Sequence, residues 1–162
     1  MIRKVIKIIL VLLWMVMIFL LSNEEAVKSS KKSDGLIIKS VELFTGKSLS
    51  DQEKEKVLKY LVFPVRKCAH LSLYLILGIL VISLLREYMV INTKLVLLSL
   101  LICFLYACSD EIHQLFVPGR SGEVRDVLID TLGACLGVSF YYLVFRKKKM
   151  SYLNDKIRHI IL

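Results

Sequence analysis

The stretch LVLLSLLICFLYACSDEIHQLF, from Leu95 to Phe116, is a long apolar run that ends in a group of polar and charged residues. A membrane-spanning helix needs about 20 mainly apolar residues. Three other stretches come close to that length once their flanking residues are counted, namely Val5–Leu21, Lys67–Leu85 and Asp126–Phe145. The sequence therefore predicts an all-α, multi-pass integral membrane protein built as a bundle of four transmembrane helices.

The composition excludes an ordinary soluble domain. Of the 162 residues, 56% are hydrophobic, whereas soluble domains have about 45–50% even when glycine is counted. The 23 Lys and Arg residues against 14 Asp and Glu residues leave a charge of +9. Many of these cations flank the apolar runs instead of forming a stripe on a polar surface, so we expect them to orient the helices and expect no nucleic-acid partner.

Orientation in the cell membrane follows from the Lys and Arg residues of the short flanks. Basic residues precede the first helix and follow the last at Arg146–Lys149, which predicts that both termini are cytoplasmic. No A-x-A-like cleavage site follows Leu21, so we expect an uncleaved anchor. The chain then divides into a first transmembrane helix with a basic cytoplasmic start (1–21), a partly helical extracellular loop (22–66), a core of three transmembrane helices (67–145) and a basic cytoplasmic tail (146–162).

One polar helix is expected within the extracellular loop. The stretch Asp51–Tyr60 (DQEKEKVLKY) is charged on all sides. Ser50 or Asp51 is suited to be its N-cap.

Ionisable residues converge near the outer ends of three helices. Counting about 20 residues from each inner flank places four of them roughly 6–8 Å below the outer surface. They are His70, Asp110, Glu111 and Asp130. Such groups are costly in hydrocarbon and normally face the bundle interior or a wet cavity, so they form a functional-site hypothesis by default.

Helical spacing places further polar side chains beside these four. Lys67, His70 and Tyr74 are three and four residues apart, so they share one face of the second helix. Gln114 has the same relation to both carboxylates of the third helix. We therefore expect Lys67, Tyr74 and Gln114 to be ligand-binding residues.

The fourth helix carries two carboxylates and two glycines on a single face. Asp126 and Asp130 are followed at the same spacing by Gly133 and Gly137. The two glycines form a GxxxG pattern, which lets another helix approach closely. We expect the carboxylates to open a polar site above this contact.

A short loop joins the third and fourth helices. Pro118 and Gly119 suit the central positions of a type II turn, and a link this short predicts antiparallel neighbours. Arg120 follows the turn and lies beside several carboxylates in sequence. Its planar fork could lock one of them, or bind a phosphate or carboxylate brought in from outside.

Two motifs carry a resemblance to a known family. They are RKCAHLSLYLILG at Arg66–Gly78 and SDEIHQLFVPGRSG at Ser109–Gly122, continuing through Asp126 and Asp130. With the first helix, they resemble the VanZ-like membrane proteins over most of Val5–Phe145. The resemblance implies a four-helix membrane protein and, for the founding members, resistance to the lipoglycopeptide teicoplanin. It implies no particular molecular activity.

Two positions depart from the family pattern. Relatives often carry an acidic residue where this chain has Leu73, and Asn where it has Asp130. Asp130 is therefore expected to be a hydrogen-bonding residue and not an obligatory proton carrier.

Three functional hypotheses remain open. In the first, an outward-facing site binds or modifies a lipid-linked, anionic envelope component. Its enzymatic version makes His70 the general acid or base, with Glu111 or Asp110 orienting it or sharing the proton. The expected partners are membrane lipids and either a lipid-linked cell-wall component or a lipoglycopeptide, and the oligomeric state is left open.

The second hypothesis is a non-catalytic interaction or scaffold protein in which Arg120 neutralises the carboxylates as part of a structural network. The third is a metal site built on Asp110 and His113 with help from the other helices. Because the sequence contains no HExxH pattern and no paired ExxH pattern, we assign no metal ligand and no cofactor.

Overall fold

The structure, a computed structural model, describes the backbone of residues 1–161 and the side chains of residues 1–145 other than Ala26 and Lys28. Within that part of the chain it contains five α-helices and no strand, which confirms the all-α prediction. The helices are α1 (Ile2–Ser22), α2 (Ala26–Thr45), α3 (Asp51–Leu85), α4 (Thr93–Gln114) and α5 (Val124–Ile161). The predicted basic tail, 146–162, lies outside the described side chains.

Four of the described helices are long and apolar enough to cross a membrane. They are α1, α3, α4 and the Val124–Phe145 part of α5, and each of these candidate spans corresponds to one of the four predicted stretches. Large apolar side chains such as Leu13, Leu97 and Phe140 are more than 60% exposed on the outside of the bundle. Such a surface is typical of the lipid-facing side of a membrane-spanning bundle.

The central helix of the bundle is α3, which contacts each of the other four. The buried residues Tyr74, Leu77 and Val81 of α3 pack in one cluster with Cys103 of α4 and Ala134 of α5. This arrangement brings the polar faces of α3, α4 and α5 together.

The helices α3 and α5 approach each other closely at the predicted GxxxG pattern. A Cβ atom on Gly133 would lie 2.3 Å from the carbonyl oxygen of Leu71, and one on Gly137 would lie 2.0 Å from that of Leu75. No side chain fits at those distances. The glycines therefore allow the backbones to touch, as the pattern predicts.

The helix α3 is longer than the predicted span, because the expected polar helix is continuous with it. It begins at Asp51 with Ser50 as N-cap and a capping box to Glu53, as the sequence predicts, and runs through Pro64 to Leu85. Its 35 residues extend over about 52 Å, against about 30 Å of hydrocarbon. The first four turns, 51–66, therefore project beyond the bundle.

A second helix of the predicted loop, α2, has no counterpart in the sequence-based prediction. It ends at Gly46, which adopts the left-handed conformation with φ of 66°. Its Ile37 is buried, and the helix packs against α3. The segment 22–66 is thus mostly helical.

The two ends of the bundle differ in their polar contacts. We call the end where α1 and α4 finish and α5 begins the site end, because the polar residues lie there. At the opposite end Lys7 of α1 donates to Glu87 at 2.5 Å and to the carbonyl oxygen of Ser83 at 2.9 Å. Which end faces the cytoplasm remains a prediction.

Candidate ligand cavity at the site end

A cavity of about 590 Å³ opens at the site end, between the projecting turns of α3, helix α2 and the 115–123 loop. Its wall combines apolar side chains, including Ile18, Leu21 and Phe63, with many ionisable ones. The ionisable lining residues are Glu24, Lys59, Arg66, Lys67, His70, Tyr74, Asp110, Arg120, Glu123 and Asp126. The cavity is thus amphipathic.

The imidazole of His70 is oriented by a carboxylate of the neighbouring helix. Its Nδ1 lies 3.3 Å from Oδ1 of Asp130, a residue with 0% exposure. Among the carboxylates considered for this role, it is Asp130 that lies within hydrogen-bond distance of His70, and neither Asp110 nor Glu111. With Nδ1 engaged, Nε2 is the ring nitrogen left for a ligand or a proton.

The amide of Gln114 links the two acidic residues of α4. It donates to Glu111 at 3.1 Å and to Asp110 at 3.4 Å. Asp110 also accepts a 2.7 Å bond from Ser22 of α1. Glu111 accepts the backbone N–H of Glu123 at 2.8 Å, so its carboxylate caps the start of α5.

The side chain of Lys67 links α3 to the start of α5 through an ion pair. Its ammonium group donates to Asp126 and lies 4.0 Å from Glu123. The side chains of Lys67 and Asp126 are 20% and 13% exposed. The pair is therefore partly desolvated, and Glu123 is a second carboxylate within reach of the same ammonium.

The guanidinium of Arg120 binds neutral oxygens. It donates to the carbonyl oxygens of Glu24 at 2.9 Å and Leu21 at 3.1 Å, and more weakly to Gln114 and Ser29, both at 3.4 Å. Among the described residues it forms no ion pair within 4.0 Å. Arg120 therefore makes no direct ion pair with these carboxylates, and its hydrogen bonds tie the loop to the end of α1.

The turn before Arg120 has the predicted form. Gly119 adopts φ of 75°, and the N–H of Arg120 donates to the carbonyl oxygen of Val117 at 3.1 Å, as in a type II turn. Burial, assisted by the nearby Arg66, lowers the pKa of the Arg120 guanidinium below its usual value. Arginine remains charged at neutral pH even so.

Three buried polar atoms around the cavity have no hydrogen-bond partner in the described part of the chain. They are the hydroxyl of Tyr74, Oδ1 of Asp110 and Oδ2 of Asp130, on residues that are 1%, 3% and 0% exposed. Buried polar groups are nearly always bonded. Each of these three atoms is therefore available to bond to a water molecule or a ligand.

Of the nine residues that the sequence predicts for the site, all but Glu111 and Asp130 line this cavity, whereas the residues of its outer wall were not predicted. Ser29 and Ser33 of α2 and Lys59 of α3 line it, and Arg66 donates to Ser30 at 2.8 Å. The only signal in the sequence was the spacing of the serines by four residues, which puts Ser29 and Ser33 on one helix face. His113, by contrast, lies 3.2 Å from Asn23 and stacks on Phe19, outside the cavity lining.

The sequence also matches a known protein family. A family model described as VanZ/LLP1 matches residues 7–146, which is most of the chain. The chain belongs to the VanZ/LLP1 family. It is a VanZ-like membrane protein, and the matched span contains all the residues that line the cavity. No curated protein and no solved structure matches it.

Proposed function

We propose that this VanZ-like protein binds the anionic headgroup of a lipid-linked envelope component in an outward-facing cavity, and thereby lowers susceptibility to teicoplanin-type glycopeptides. The observation that carries the proposal is the amphipathic cavity itself. Four cations line it, namely Lys59, Arg66, Lys67 and Arg120. Cations around a cavity favour a phosphate or carboxylate.

The hydrogen-bond partners of these cations support an anionic ligand. Arg66 and Arg120 bond to hydroxyl, amide and carbonyl oxygens. Lys59 has no hydrogen-bond or ion-pair partner among the described residues. An incoming anion therefore displaces only neutral partners from these three side chains, and no salt bridge has to break.

The apolar part of the wall supports a ligand with a lipid tail. Ile18, Leu21 and Phe63 line the same cavity as the cations, and Phe63 is 60% exposed. A headgroup bound among the cations would thus have its chain beside apolar side chains that face the lipid. A lipoglycopeptide is the other candidate ligand, since it also joins an acyl chain to a polar group.

A catalytic version of the proposal uses the same residues. His70 would be the general acid or base, because an imidazole exchanges protons near neutral pH. Asp130 would orient its ring, and Glu111 or Asp110 would share the proton. Lys67 and Arg120 would hold the anion at the reacting group.

The scaffold hypothesis is the second candidate, and one observation favours it. Most of the polar side chains already bond to one another across helices, as in Ser22 to Asp110 and Lys67 to Asp126. Removing one partner from such a buried network is strongly destabilising. On this hypothesis a substitution lowers the amount of folded protein.

Susceptibility measurements separate the two candidates. Wild type and the variants His70→Ala, Glu111→Gln and Arg120→Lys are expressed in a sensitive Gram-positive host, with vancomycin as the control drug and Lys56→Gln as a variant outside the cavity. We expect wild type and Lys56→Gln to protect against teicoplanin. We expect the three site variants to lose protection at equal membrane abundance, measured by immunoblot.

Two results would count against the proposal. If all three site variants protect as well as wild type, the cavity has no role in resistance. If they are missing from the membrane, the polar cluster is structural and the scaffold hypothesis holds.

A further inference from the structure

One histidine and two carboxylates from three helices come together at the cavity, and two of them, His70 and Asp126, belong to its lining. A nitrogen of His70 on α3, a carboxylate oxygen of Glu111 on α4 and one of Asp126 on α5 all lie within 4.8 Å of one another. The sequence does not reveal this set, because its members are 41 and 15 residues apart along the chain. The packing of α3 against α5 and α4 creates it.

From this geometry we infer that His70, Glu111 and Asp126 bind a divalent transition-metal ion of the Zn²⁺ or Mn²⁺ type. The inference deepens the proposed function and rests on the cavity being a ligand site. Metal binding is measured without any lipid, however, so the two proposals can fail separately.

The spacing of the three atoms suits such an ion. The centre of a triangle whose sides are 4.8 Å or less lies no more than about 2.8 Å from each corner, and Zn²⁺ binds imidazole nitrogen and carboxylate oxygen at about 2.0–2.2 Å. Each side chain therefore has to move by less than about 1 Å. A mixed set of imidazole and carboxylate favours a first-row transition metal over Mg²⁺ or Ca²⁺, which prefer oxygen alone.

The orientation of His70 is the second observation. Metal-binding histidines usually donate their other ring N–H to a carboxylate, which fixes the ring and its tautomer. Here Nδ1 of His70 lies 3.3 Å from the fully buried Asp130. That contact leaves Nε2 as the nitrogen for the metal.

The buried carboxylates near these three residues also favour a bound cation. Asp110 and Glu111 are 5% exposed or less, and neither forms an ion pair within 4.0 Å among the described side chains. Oδ1 of Asp110 and the hydroxyl of Tyr74 are unpartnered on the wall that also carries His70 and Asp126. Buried carboxylates without a counter-charge are costly, and a divalent ion supplies that charge.

In the structure described here, Lys67 is bonded to one of the three proposed ligands. Its ammonium pairs with Asp126, one of the three ligands, and lies 4.0 Å from Glu123. When a metal takes Asp126, Lys67 has Glu123 as its next partner. Lys67 therefore competes with the metal for Asp126.

The test measures metal directly in the purified full-length protein. The protein is solubilised in detergent, stripped with a chelator and equilibrated with Zn²⁺ or Mn²⁺, and the bound metal is quantified by mass spectrometry. We expect one equivalent in wild type and at least tenfold weaker binding in Asp126→Asn and Glu111→Gln. Glu24→Gln, which removes a cavity carboxylate outside the set, should bind as wild type does.

Lys67→Met provides the decisive variant, because the inference predicts a gain of affinity at this site where general damage to the site would cause a loss. Loss of the competing ammonium should tighten metal binding about tenfold. The inference is overturned if wild type binds less than stoichiometric metal. It is also overturned if Asp126→Asn binds as wild type does, or if Lys67→Met binds no tighter.

Discussion

The hydroxyl of Tyr74 distinguishes a binding site from a structural network, because a structural hydroxyl would have a hydrogen-bond partner. It is buried with its residue 1% exposed, and it has no partner among the described residues. An unsatisfied buried polar group costs about 1–3 kcal/mol. Tyr74→Phe should therefore leave the unfolding temperature in detergent unchanged or raise it, while protection against teicoplanin falls.

The matched variant is Tyr106→Phe, because the Tyr106 hydroxyl donates to the carbonyl oxygen of Met15 at 2.6 Å. It should lower the unfolding temperature. If Tyr74→Phe destabilises the protein as much as Tyr106→Phe does, the Tyr74 hydroxyl is structural and not part of a ligand site.

At the residue scale, sequence could predict which side chains share a face and could not predict what they touch. The face of Lys67, His70 and Tyr74 follows from helix geometry alone. The partner of His70 depends on how α5 is rotated against α3, which the contact at Gly133 sets. Arg120 reaches carbonyl oxygens at the end of α1 because the last carbonyls of a helix lack partners within it.

At the element scale, replacing glycine by alanine should have opposite effects at two helix positions. Only one of them lies in the contact between α3 and α5. A Cβ at Gly137 would lie 2.0 Å from a backbone oxygen, whereas a Cβ at Gly35 in α2 meets nothing within 4 Å. Gly137→Ala should cost about 1–3 kcal/mol or more by forcing the helices apart. Gly35→Ala should stabilise by up to about 1 kcal/mol, because alanine is the better helix former.

Thermal unfolding of the two variants in detergent checks this pair. Equal unfolding temperatures would mean that α3 and α5 are not in backbone contact at Gly137.

The opposite end of the bundle gives a prediction that depends on pH. The hydrogen bond from Lys7 lowers the pKa of Glu87 below its usual value. This contact therefore stabilises the docking of α1 above the unfolded-state pKa of about 4.3 and is lost as the pH falls through the lowered value. Glu87→Gln should lower the unfolding temperature at pH 7, and the difference from wild type should vanish toward pH 3.

Glu55→Gln, on the exposed start of α3, is the control and should show no difference at either pH. A deficit of Glu87→Gln that stays the same at pH 3 would contradict the role of its charge.

The spanning helices were predictable as elements because their apolar runs have the length of a bilayer. Two other features of the fold were not predictable from the sequence. The helix α2 has a polar composition, with Gly35 in its middle, and Ile37, the one buried large side chain among its described residues, gives little periodic signal. The continuity of α3 through Pro64 is set by packing, since proline more often ends or kinks a helix.

At the scale of the whole molecule, the proposal requires the site end to face outward. Ser121→Cys in the loop after α4 and Val90→Cys in the loop after α3 lie at opposite ends and are exposed. In a Cys68→Ser background, an impermeant maleimide should label Ser121→Cys in intact cells and Val90→Cys only after permeabilisation. The reverse pattern would place the cavity on the cytoplasmic side.

The most direct measurement compares a polyprenyl phosphate with the polyprenol of the same chain length, bound to the protein in nanodiscs. We expect the phosphate to bind at least tenfold more tightly. Lys59→Gln, which removes a cation that lines the cavity, should reduce that preference, while Lys56→Gln on the same helix outside the lining should not. Equal affinity for the two lipids, or a preference unaffected by Lys59→Gln, would contradict an anionic-headgroup site in this cavity.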